Sequence, residues 1–313
     1  MKSVRVSALF YILLSCALVS PVYAAEKRIA LTYDDAPRSD AVISGDDRAA
    51  MLIAGLEAAG VEQAGFFITT SRINSPERLQ RIQSYAAAGH VLANHSHTHP
   101  WLREVTAEEY LADIDRASET MALFENTRPW FRFPYLNEAP TVEKRDAVRA
   151  GLVARDLRNA YVTVDNYDWY LESLYQRAVK AGEAVCMSAL SDLYTDMLVD
   201  AANFFNDVAV ETMGHSPAHT LLLHENDIAA LFVLDLVAAL EADGWEIITV
   251  DEAYQDPIAD IEPDTRFLGQ GRVAAIASLN GRSPKTFDHF AINEDQIETA
   301  FREEYGVIGD RTD

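Results

Sequence analysis

Strand-like apolar runs and helix-like amphipathic segments alternate along most of this chain, and that rhythm restricts its architecture more than any other feature. Arg28 to Tyr33 reads as a buried strand, and Asp46 to Ala59 has helical periodicity stopped by Gly60. Gly65 to Thr69 reads as a second strand, Ser75 to Ala88 as a second helix ending at Gly89, and His90 to Asn94 as a third strand. Thr106-Ala107-Glu108-Glu109 is a capping box that opens a long amphipathic helix reaching Phe124. Trp130 to Phe133, Tyr161 to Val164 and Thr220 to His224 are further strand candidates. Ile228 to Ala242 is helical, Gly244 breaks it, and Trp245 to Val250 is the last strand. Repeated βα units predict a parallel sheet with helices outside, and 313 residues suit a single α/β barrel.

The reactive side chains cluster at the ends of these strands. Asp34-Asp35, His95, Arg132, Asp165 and His224 all fall at or just beyond a strand's C-terminal end. In a barrel those ends gather on one face, where active sites sit, so the positions predict one composite site. His95 and His99, four residues apart, can share one face of a helical turn, and a carboxylate from a strand end can add a third ligand. Three ligands leave a position open for water, as a catalytic zinc site requires. A second carboxylate beside it stands where a general base belongs, which points to a hydrolase. His97 points away from the pair at this spacing, and Pro217 between His215 and His219 argues against a second metal site. Trp101, Trp130 and Trp169 read as core, with at most one lining a groove.

The chain ends carry separate information. Lys2 and Arg5 precede an apolar run from Val6 to Val19, and Val22-Tyr23-Ala24 is a small-residue cleavage site. Residues 1–24 therefore read as a signal peptide for export to the periplasm or exterior, too short and wrongly flanked for a permanent membrane span. Leu13-Leu14-Ser15-Cys16 resembles a lipid-attachment box, with lipid anchoring through Cys16 the lesser alternative. The mature chain keeps only Cys186 and forms no internal disulfide. Cleavage takes the formal charge from −23 to −25, an acidic surface that repels nucleic acid and anionic membranes. Residues 259–313 lose the βα rhythm and read as a C-terminal extension of unknown role, following a catalytic domain over residues 25–258.

Five short motifs, in order, resemble those of the polysaccharide deacetylases, the NodB-homology group also called carbohydrate esterase family four. Thr32-Tyr33-Asp34-Asp35-Ala36-Pro37 is similar to the family's first motif, and His95-Ser96-His97-Thr98-His99 matches its second. Arg132-Phe133-Pro134-Tyr135 is similar to the third, Asp165-Asn166-Tyr167-Asp168-Trp169 to the fourth, and Leu221-Leu222-Leu223-His224 to the fifth. The resemblance implies a distorted (β/α) barrel and metal-dependent removal of N-acetyl groups from amino-sugar glycans such as chitooligosaccharides or peptidoglycan. It further implies that Asp35, His95 and His99 hold a divalent metal, zinc with cobalt as an alternative. Asp34 would act as base, oriented by Arg132, and the backbone N–H of Tyr135 would stabilise the oxyanion. His224 would be the acid, with Asp165 supporting its imidazolium and Asp168 structural.

Two positions depart from the family pattern. Ala36 stands where the first motif has glycine, and Leu136 where the third does. Alanine is a small change if φ stays negative, whereas Leu136 bears on the loop carrying Tyr135 and on substrate fit. Two other readings stay open at this level: an amidohydrolase acting on a non-sugar C–N bond, and a non-catalytic glycan-binding protein on the same scaffold.

Overall fold

The computed structural model describes residues 27–308; the expected signal peptide and Cys16 lie outside them. Seven strands form one sheet: β1 (Lys27–Ala36), β2 (Gly65–Ile68), β3 (Val91–Asn94), β4 (Thr127–Phe131), β5 (Arg158–Asn159), β6 (Ala218–His224) and β7 (Trp245–Ile247). The order is β5-β4-β3-β2-β1-β6, with β7 beside the start of β1. Every pair is parallel. Among the described residues ten α-helices accompany the strands: α1 (Gly45–Ala58), α2 (Pro76–Ala87), α3 (Ala107–Met121), α4 (Val142–Val153), α5 (Asp168–Ala181), α6 (Met187–Met213), α7 (Asp227–Ala242), α8 (Val250–Ala253), α9 (Gly271–Leu279) and α10 (Glu294–Thr299).

The long strand β1 is the axis of the sheet. Its Arg28–Asp34 run pairs with Ala218–His224 of β6, while its C-terminal half pairs with β2 and its first residues with β7. A parallel strand covered on both faces must be apolar almost throughout, and Ile29, Ala30, Leu31 and Tyr33 are fully buried. Thr32 is buried among them because its hydroxyl donates to Leu221 O at 2.7 Å. Tyr33, Phe66 and Tyr85 stack in series between the sheet and α2. Helix starts follow local capping chemistry: Ser44 accepts from Asp47 N, the capping box at Thr106 and Glu109 is formed, and Asn226 accepts from Ala229 N.

Closure of the barrel departs from expectation. Tyr161–Val164 is not a regular strand: the chain pairs with β4 at Arg158–Asn159 and touches β6 through a bridge from Val164 to Leu221. Ala160 N donates to Phe131 O at 2.8 Å, whereas Leu222 N donates to Val164 O at 3.1 Å. The segment changes partner midway, so no continuous ladder forms with either neighbour, and the result is a distorted (β/α) barrel.

Residues after Asp260 join the same core. Val273, Ala274, Phe287, Ala291, Ile297, Phe301 and Val307 are buried in one cluster with Ile29 and Leu31 of β1. Their attachment to the closing segment depends on Gly271, whose φ is +83° and where a Cβ would lie 2.6 Å from Val162 O. Arg272 N then donates to that same carbonyl at 2.6 Å. Gly244 has a similar φ of +86° but open space around a Cβ. We expect Gly244→Ala to cost about 1 kcal/mol and Gly271→Ala at least about 1 kcal/mol more, read from urea unfolding curves. Equal losses would show that the C-terminal region does not depend on this close approach.

Candidate active site

The C-terminal end of β1 delivers both carboxylates. Asp34 is buried, and Arg132 Nη1 donates to its two oxygens at 3.0 and 3.3 Å. Arg132 follows β4 and is only 1% exposed, so its charge needs partners on every side. Its Nη2 donates to Tyr254 Oη at 2.9 Å and Thr32 Oγ1 at 3.3 Å, its Nε to Ala160 O, and its plane lies over Phe67. Asp35 takes a left-handed backbone, φ +73°, which turns its side chain into the cleft beside that of Asp34. Ala36 keeps a negative φ, so its Cβ is accommodated without strain.

His95 and His99 sit on an irregular loop after β3, not on the helical turn that their spacing suggested. Ser96 and His99 have φ of +69° and +57°, incompatible with a helix. The loop is held by Asp113 of α3, which accepts from His97 N, Thr98 N and Thr98 Oγ1 at 2.8 to 2.9 Å. His97 faces away, with Nδ1 2.9 Å from Thr70 Oγ1 and Nε2 3.0 Å from Arg116. His95 Nδ1 lies 2.9 Å from Arg132 O. A proton on that nitrogen leaves the Nε2 lone pair directed into the cleft.

Ligand atoms of Asp35, His95 and His99 all lie within 4.8 Å of one another. Asp35 Oδ1 is buried and accepts no hydrogen bond, with Arg72 Nη2 at 3.1 Å and His99 Nε2 at 3.5 Å as its charged neighbours. Burial pushes both imidazoles down to about 4, so they are neutral donors near pH 7. Burial would raise Asp35, but Arg72 and His99 outweigh it and hold this carboxyl well below the usual range. One carboxylate and two neutral imidazoles whose ligand atoms converge in this way fit a divalent cation such as zinc. The neighbouring Asp34 behaves differently: burial, opposed by Arg132, pushes it up to about 6.

His224 ends β6 opposite Asp34. Here the expected partner is wrong. Asp168, not Asp165, contacts the imidazole: Asp168 Oδ1 is 2.6 Å from His224 Nδ1, and Oδ2 accepts from His224 N at 2.9 Å and Asn226 Nδ2 at 3.0 Å. Asp168 opens α5, whose first turn points its side chain back at the sheet. Asp165 lines the cleft but forms no ion pair among the described residues, and burial pushes it up to about 7. Burial disfavours the His224 imidazolium, yet Asp168 outweighs that and raises its pKa.

The cleft has a volume of about 470 Å³ and is walled by Tyr135, Leu136, Tyr167, Trp169 and Gly269 besides these groups. Trp169 is 37% and Tyr135 57% exposed, and the Tyr135 ring meets His99 edge-on at 4.6 Å. Tyr135 and Leu136 have φ of +58° and +49°. The missing glycine at 136 is therefore a strained left-handed leucine, costing about 1–2 kcal/mol. A further layer had no sequence signal. Arg48 of α1 is buried, bonding Asp227 at 2.9 Å, Glu225 at 3.3 Å and the carbonyls of Arg38 and Ser39 at 3.0 Å. It ties the loop after Asp35 to the chain after His224.

Residues 22–154 match the sequence model of a family described as polysaccharide deacetylase. No curated protein matches the chain. Among solved structures, it is similar to peptidoglycan deacetylase PdaC from Bacillus subtilis, 20% identical over 74% of this chain and 91% of that one, TM-score 0.49. It is similar also to a family 4 acetyl xylan esterase from Clostridium thermocellum in complex with cobalt, 16% identical over 73% and 91%, TM-score 0.48. A family 4 pseudoenzyme from Bacillus anthracis is 18% identical over 73% and 65%, TM-score 0.48. Among the described residues no helix is long and apolar enough to cross a membrane.

Asp168→Asn should lower the His224 pKa followed by NMR titration, whereas Asp165→Asn should move it less. The opposite order would return the imidazole to Asp165.

Proposed function

We propose that this chain, whose residues 22–154 match the sequence model of the polysaccharide deacetylases, is an exported, metal-dependent hydrolase removing N-acetyl groups from amino-sugar polymers. One observation carries the reading: a buried carboxylate outside the ligand set, Asp34, stands between the Asp35–His95–His99 cluster and the Asp168–His224 pair. A divalent cation there, zinc or alternatively cobalt, would polarise the acetamide carbonyl and promote ionisation of water.

The protein groups supply the proton transfers. Asp34, held by Arg132, takes a proton from the attacking water as its oxygen bonds to the acetamide carbon. The Tyr135 N–H is assigned to the developing oxyanion. Cleaving the C–N bond expels an amine, a poor leaving group unless protonated. His224, whose imidazolium Asp168 favours, donates that proton from the other side of the cleft, leaving acetate and a free amino sugar. Asp165 keeps a place in the wall near the substrate rather than in this relay. The signal sequence supports export, where glycan polymers are met, and cleavage near Ala24 is preferred to anchoring through Cys16.

Acetate release should be measured on chitooligosaccharides, peptidoglycan and acetylated xylan, with added zinc or cobalt and with chelator. Chelator-sensitive release from an N-acetylated glycan is expected. Release only from simple amides would favour the amidohydrolase, and glycan binding without release the non-catalytic scaffold. Asp34→Asn should retain metal by elemental analysis while losing turnover; loss of metal would exchange the roles of the two carboxylates. His224→Ala should slow turnover by about a hundredfold or more. A negligible effect would assign amine protonation elsewhere.

A further inference from the structure

Two guanidinium groups in the cleft have no task in the reaction as derived. Arg72 Nη1 donates to the backbone carbonyl of Asp35 at 2.7 Å, and its Nη2 lies 3.1 Å from Asp35 Oδ1. Arg38 Nη1 lies 3.5 Å from Asp35 Oδ2. Unlike Arg132 and Arg48, which are buried against carboxylates of their own, these side chains are 31% and 28% exposed and line the cleft.

The charges do not balance once the site is loaded. Asp35 is the one carboxylate within ion-pair distance of both guanidiniums among the described residues, and it is also the only anionic member of the proposed ligand set. Across the cleft and its floor, Asp34, Asp35 and Asp165 face Arg38, Arg72 and Arg132, while the His224 imidazole is paired with Asp168 behind it. A divalent cation adds positive charge that no cleft residue offsets. The excess is local, because the chain as a whole carries −23. Arg72 has a hold besides the carboxylate, because its Nη1 also donates to the backbone carbonyl of Asp35. A planar guanidinium pair beside a cation, in a partly desolvated cleft, attracts a carboxylate.

We propose that Arg38 and Arg72 form a subsite for a carboxylate carried by the substrate sugar, so that the enzyme selects acidic N-acetylamino sugars over neutral ones. This rests on the deacetylase reading. The same chemistry would hold free acetate, and the test separates the two sources.

Zinc-loaded Asp34→Asn protein, which binds without turnover, is titrated calorimetrically with N-acetylglucosamine, with its 3-O-carboxyalkyl ether and with sodium acetate. The ether should bind at least tenfold tighter than the neutral sugar, with a preference that shrinks as salt rises. Arg38→Gln and Arg72→Gln, added singly, should each reduce that ratio, with zinc content measured alongside. Equal binding of the two sugars overturns the subsite and leaves the deacetylase reading standing. Binding of neither sugar overturns both. Acetate binding as tight as the ether assigns the arginines to product, and loss of zinc in Arg72→Gln assigns that residue to positioning Asp35; either outcome overturns the proposal.

Discussion

The contact between Arg132 and Asp34 organises the whole site. Two charges buried together cost desolvation, and removing one partner typically costs about 3–5 kcal/mol because the other is left unpaired. That penalty forces the end of β4 against the end of β1, although β2 and β3 lie between them in the sheet. The same residue fixes two other parts. Its carbonyl orients His95, and its Nη2 reaches Tyr254, whose hydroxyl donates to Tyr161 O at 3.0 Å on the barrel-closing segment. One guanidinium and its own carbonyl thus join Asp34, a metal-ligand candidate and the closure of the barrel.

Adjacent carboxylates on one strand acquire different chemistry from this arrangement. Asp34 is buried with a single cationic partner and is pushed up to about 6. Asp35, turned over by its left-handed backbone, faces two arginines and an imidazole and stays firmly ionised. One acid is suited to exchanging a proton and the other to holding a cation, a division set by environment rather than residue type. The same principle separates Asp165 from Asp168. They stand three residues apart, yet only Asp168, at the first turn of α5, meets the imidazole.

The region after Asp260 is structurally continuous with the barrel rather than appended to it. Its apolar residues share the core, Gly271 docks on Val162, and Gly269 reaches the cleft wall. Its weaker rhythm in the sequence reflects short helices that fill gaps rather than cover strands. Binary periodicity cannot resolve such pieces, because their burial is set by neighbours distant along the chain.

Local chemistry in the sequence determined the βα alternation, the helix start at Thr106, and the gathering of Asp34, Asp35, His95, Arg132 and His224 at strand ends. Apolar periodicity, capping side chains and the parallel sheet's single reactive edge are readable residue by residue. Tertiary structure alone decided that His95 and His99 lie on a loop braced by Asp113, that Asp168 replaces Asp165 beside His224, and that Tyr161–Val164 changes partner instead of forming a strand. It also decided that Arg38, Arg48 and Arg72 converge on the two ends of the site. Each of these depends on which charged or hydrogen-bonding group is left unsatisfied when distant segments pack, and a linear pattern does not contain that information.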